Sequence, residues 1–132
     1  MSIPMTLYLR NALRLDAVVS AAAGLLMTFG AGLLGPFLAL PQPLLFWAGV
    51  IIFAWVALLV TVARREAVSR HVLIDVVAGN VLWAAASVGI LVGGLVTPNT
   101  FGMVFVLAQA LAVGVFAALQ ATALRAAGTA PA

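Results

Sequence analysis

A chain of 132 residues that is 66% hydrophobic and 7% charged has too little polar surface to cover a water-soluble core, which excludes a soluble globular domain. Its net charge of +3 comes from six basic residues, all arginine, none in a dense run interleaved with aromatics, so a nucleic-acid surface is not indicated. The absence of cysteine excludes disulfides and thiolate chemistry. One histidine gives no metal or haem ligand set, and neither metal nor cofactor is expected.

Four apolar segments of about 20 residues each reach the ~30 Å of a hydrocarbon core at ~1.5 Å per residue. They predict an all-α integral membrane fold, a four-helix bundle of one domain over residues 1–132 with spans near 15–34, 44–63, 72–96 and 101–124. Residues 1–14 read as a short amphipathic leader ending in Arg10 and Arg14. The first span is too long for a signal-peptide core and three more follow it, so it is expected to be retained. The segment GPFLALPQP, 35–43, holds three prolines and is predicted to break the first helix and turn the chain. The second span ends at Arg64, Arg65, Glu66, Arg70 and His71. The third carries Asp75, Asn80, Trp83 and Ser87; TPNT, 97–100, is predicted to be a turn built on Pro98 and Asn99. The fourth ends near Arg125 and a small, polar tail.

Lys and Arg collect on cytoplasmic flanks. If four spans alternate, Arg10, Arg14, Arg64, Arg65, Arg70 and Arg125, with His71, fall on one side and the opposite loops hold no basic residue. Both termini are therefore expected in the cytoplasm of a multi-pass protein. An offset of 59 pairs Asp16 with Asp75, Val18 with Val77, Gly30 with Gly89, Gly35 with Gly94 and Phe46 with Phe105, suggesting a parallel 2+2 repeat with both aspartates at one depth.

Small residues let helix backbones approach in lipid. Stripes run through Ser20, Gly24, Thr28 and Gly32, through Ala85, Gly89 and Gly93, and through Ala110, Gly114, Ala118 and Thr122. Each serves either packing within the bundle or contact with another copy or subunit.

Asp16 and Asp75 are the carboxylates inside spans. A carboxylate at mid-bilayer costs ~2.5–3.5 kcal/mol and is by default a functional candidate; structural anchoring is the other reading. His71 lies four residues before Asp75, within reach of a local ion pair, and Asp16 is expected to find an arginine of the 64–70 loop. Asp75 is read as lying in the first turn of its helix, where the dipole favours it. Asn80, Trp83 and Ser87 share a face of the third span, and Gln109 and Gln120 share one on the fourth. Asn80 with Gln109 is one possible interhelical bond. These residues read either as polar glue or as the lining of a narrow pocket walled by Trp83. Tyr8 and Trp47 read as interfacial anchors, Trp55 as packing. No catalytic motif is present, and no enzyme is expected.

The segments LRLDAVVSAAAG, GNVLWAAASVGILVGG and FVLAQALAVGVFAALQ resemble those of small four-span bacterial inner-membrane proteins, which implies a bundle in that membrane and no particular activity. Small multidrug transporters share the length and span count but place an essential glutamate in mid-first-span; here Leu26 and Met27 stand there, and the nearest acid is Asp16. The expected function is non-enzymatic, through helix contacts, as a homo-oligomer or an accessory subunit, with lipid, itself or other membrane subunits as partners. The alternative is an oligomeric proton-coupled transporter or channel using Asp75, Asn80 and Asp16. A third reading is a lipid- or cofactor-binding groove at Trp83 and Phe105.

Overall fold

The computed structural model describes residues 2–129; Met1 and the last three residues of the tail, 130–132, lie outside them. In chain order the elements are β1 (Ser2–Pro4), α1 (Leu7–Phe29), α2 (Ala31–Leu38), α3 (Gln42–Ala63), β2 (Ala67–Ser69), α4 (Arg70–Val92) and α5 (Thr100–Thr129). Helices α1, α3, α4 and α5 are each long and apolar enough to cross a membrane. Their outer faces are strongly apolar, Leu82 and Leu111 being 69% and 71% exposed. In water such a surface would aggregate, whereas in lipid it is the ordinary exterior.

Helix α1 begins at Leu7, within the stretch read as a leader, because Thr6 caps it: its hydroxyl accepts from the Leu9 N–H at 3.1 Å. The residues before it form a two-stranded antiparallel ribbon with the loop after α3, Ile3 facing Val68. Both side chains are buried in the inner core with Leu9, Leu13, Leu59 and Leu73. Arg10 closes the same end. Its Nε donates to the Ala63 carbonyl at 3.0 Å and its Nη2 to that of Arg65 at 3.1 Å, capping the carbonyl end of α3.

At the opposite end the expected break over 35–43 is displaced. The chain bends at Gly30 and then resumes as α2, with Pro36 inside it. Pro36 sits in the last turn, where it forfeits a single bond to the Gly32 carbonyl, so the short helix survives. Ala39, at φ 56°, ends it in the left-handed region. Asn99 then does more than turn the chain. Its Oδ1 accepts from the Gly102 N–H at 2.9 Å, capping α5, and its Nδ2 donates to the Phe37 carbonyl at 2.8 Å. Helix α5 runs on through Thr129, into the stretch read as tail.

The long helices form two hairpins, α1 with α3 and α4 with α5, which meet mainly along α1 and α5; α3 and α4 touch through side chains such as Leu59 and Leu73 without close backbone pairing. The first hairpin explains the small residues of α1. A Cβ on Gly49 would lie 2.8 Å from the Thr28 nitrogen and 3.0 Å from the Gly24 carbonyl oxygen, so α3 crosses α1 at backbone contact. By contrast, a Cβ on Gly89 or Gly114 would meet nothing within 4 Å. Those two positions face outward, while Ala110 of the α5 stripe is buried.

Candidate functional site

Asp16 is the tenth residue of α1, about 14 Å along the helix at ~1.5 Å per residue. Asn80 lies at a similar distance from the start of α4, and Gln120 from the end of α5, because neighbouring α4 and α5 run antiparallel. All three side chains are buried, Asp16 and Gln120 at 0% exposure and Asn80 at 3%. Three helices thus deliver one carboxylate and two amides to a single level of the bundle.

The bonds among them follow from what each group can do. A carboxylate acts as the acceptor here, so both amides turn NH2 groups towards it. Asn80 Nδ2 and Gln120 Nε2 donate to Asp16 Oδ2 at 2.9 and 2.8 Å, and Ser20 Oγ donates to Oδ1 at 2.9 Å. The second hydrogen of Asn80 Nδ2 goes to Gln120 Oε1 at 2.8 Å. The ring of bonds is closed around Asp16. Hydrogen bonds to an ionised acceptor are about twice as strong as neutral ones and strengthen further where water is excluded.

Asp16 therefore meets no arginine of the loop, contrary to expectation. Arg10 is committed to carbonyls and Arg14, Arg64 and Arg65 are exposed. Asp75 behaves differently from Asp16 altogether. It is exposed, it is the sixth residue of α4 rather than a first-turn residue, and among the described residues no ion pair joins it to His71. The equivalence suggested by the 59-residue offset does not extend to environment.

The expected Asn80–Gln109 bond is replaced by two separate pairings. Asn80 goes to Gln120 and Asp16, while Gln109 Oε1 accepts from Trp83 Nε1 at 2.8 Å and Gln109 Nε2 donates to the Val106 carbonyl at 3.0 Å. Ser87 turns back on its own helix, donating to the Trp83 carbonyl at 2.7 Å. Asp16, Asn80, Trp83 and Gln109 thus belong to the interior; Asp75 and Ser87 do not join them. Gln120, and Ser20 beyond its place in the small-residue stripe, were not singled out as partners of Asp16. The available signal was the four-residue spacing of Asp16 and Ser20, which puts them on one face.

Where the backbones of α3 and α4 stay apart, a cleft opens. Its inner part, about 150 Å³, is lined by Ser20 and Asn80 together with Trp55, Trp83, Phe105 and Phe116. It shares Met27, Ile51, Trp83, Phe105 and Gln109 with a wider mouth of about 510 Å³ that also touches Trp47 and Ile90. Trp55 closes the cleft towards the β-ribbon end by lying on α4 at Gly79, where a Cβ would be 2.6 Å from its ring. No charged residue lines either part among the described residues. No group of acidic or histidine side chains suited to a metal ion occurs among them either.

Comparisons with protein-family models, with curated proteins and with solved structures found no match to this chain.

Proposed function

We propose that this chain is a non-enzymatic multi-pass protein of a bacterial inner membrane that acts through helix contacts, as a homo-oligomer or as an accessory subunit of a membrane complex. The observation that carries the reading is the contrast between glycines. Those of α1 and α3 are consumed inside the protomer at Gly24 and Gly49, whereas Gly89 and Gly114 have open space where a side chain would be. A smooth stripe in lipid supports close approach by another helix, and Ala118, exposed one turn beyond Gly114, extends it. In this reading both termini are cytoplasmic. Support comes from the arginines: Arg10, Arg14, Arg64, Arg65 and Arg70 gather at the end of the bundle that carries the β-ribbon, as cytoplasmic flanks do.

The test is the double variant Gly114→Leu, Ala118→Leu. Association should weaken about tenfold or more, equivalent to ~1.4 kcal/mol, with helicity and thermal midpoint unchanged because neither position packs inside the protomer. Undiminished recovery of the oligomer or complex would remove the basis for this reading.

The second reading is proton-coupled transport by an assembly, and the buried carboxylate favours it. Its path would run through Asp16 and Asn80 rather than Asp75. Asp16→Asn is then expected to abolish proton flux in liposomes while Asp75→Asn leaves it intact. Equal flux from wild type and Asp16→Asn would exclude it.

A further inference from the structure

The assembly reading leaves the cleft between α3 and α4 unused, and the cleft has three properties that together specify an occupant. The volume of its inner part, about 150 Å³, is the size that holds one six-membered ring in an apolar protein cavity. Its walls are aromatic and aliphatic, and no cation or anion lines it among the described residues. That disfavours a phosphate or carboxylate headgroup, which would be buried uncompensated beside the Asp16 network.

The third property is polar. Asn80 lines the inner part while 3% exposed. Both of its amide hydrogens are committed, to Asp16 Oδ2 and Gln120 Oε1, but its Oδ1 accepts no hydrogen bond among the described residues. The network fixes which end of the amide is spent. An acceptor is left over on a residue that lines a ring-sized cavity, where a ligand donor can satisfy it. The wider mouth, bounded by Trp47, Ile90 and Phe105, lies between two helices whose backbones do not pair closely, giving an apolar tail a way out to lipid.

We propose that the cleft binds a neutral, membrane-dissolved phenol-type amphiphile: one hydroxyl-bearing ring against Trp83 and Phe105, its O–H donating to Asn80 Oδ1, its alkyl or prenyl tail leaving between α3 and α4. Binding is non-covalent and independent of whether the chain oligomerises. The apolar walls supply affinity and Asn80 supplies selection, since a buried polar group that loses its partner discriminates strongly against the analogue lacking the donor.

The probe is 4-nonylphenol, titrated calorimetrically into the full chain in phosphatidylcholine nanodiscs, with protein-free nanodiscs subtracted. Saturable binding at one per chain is expected, with 4-nonylanisole, the methyl ether that cannot donate, at least tenfold weaker. Asn80→Leu should abolish that preference. Because this variant also breaks the Asp16 network, Ala112→Phe provides the second test: it puts a ring into the chamber from α5, leaves the network intact, and should weaken 4-nonylphenol at least tenfold. Absence of saturable binding, equal binding of phenol and ether, or unchanged binding to Ala112→Phe would each overturn the assignment.

Discussion

Gln120→Leu is expected to lower the stability of the bundle by about 3 kcal/mol, read from reversible unfolding in mixed micelles. The variant removes two bonds of 2.8 Å, one of them to the Asp16 carboxylate, in a place where neither side chain has any exposure to replace them. Magnitude separates this network from ordinary polar glue. Neutral interhelical hydrogen bonds in membranes average ~0.6 kcal/mol because the separated helices find other partners. Gln109→Leu, which breaks the neutral bond to Trp83, should therefore cost several times less. Stripping one partner from a buried charge is costly, whereas replacing the whole set by apolar side chains is often neutral. The triple variant Asp16→Leu, Asn80→Leu, Gln120→Leu should accordingly recover to within about 1 kcal/mol of wild type. A Gln120→Leu cost no larger than that of Gln109→Leu would show that Asp16 is not held as described.

Gly49→Ala should be the second severe change, about 2–3 kcal/mol, from a single methyl group. The new Cβ meets the backbone of α1, 2.8 Å from the Thr28 nitrogen and 3.0 Å from the Gly24 oxygen, as well as the Thr28 hydroxyl. Main chain in mid-helix has no rotamer with which to step aside, so the crossing of α1 and α3 must widen. The matched control is Gly89→Ala on α4, where a Cβ meets nothing within 4 Å. Within the single chain helix propensity alone acts there, and the change should be neutral or stabilising by up to ~1 kcal/mol. Equal thermal midpoints for the two variants would contradict the packing of the first hairpin.

The four long helices were legible because hydrophobic length is a one-dimensional signal, and α3 and α5 begin within two residues of the expected 44 and 101. What the sequence left hidden is lateral. Hydropathy says how deep a residue lies but not which neighbour it faces, so Asn80 was offered to Gln109 when Gln120 and Asp16 hold it. Asp16 was placed too near the end of its span because the helix starts at Leu7, eight residues before the expected boundary at 15, through the Thr6 cap. The β-ribbon was invisible for another reason: three-residue strands are too short to show a period of two, and the pairing of Ile3 with Val68 joins residues far apart in the chain. Gly and Pro at 30–36 signalled an interruption correctly but not its form. A bend at Gly30 followed by α2 satisfies more backbone bonds than an open loop in or near lipid.

The central claim is that this protein works through its membrane-facing helix surfaces, and native mass spectrometry after gentle extraction from its own membrane tests it most directly. The account predicts a defined stoichiometry, of copies or of copies with other subunits, that collapses to the single chain in Gly114→Leu, Ala118→Leu. A wild-type protein that leaves the membrane as a lone 13.5 kDa chain at every extraction strength, indistinguishable from the variant, would contradict it.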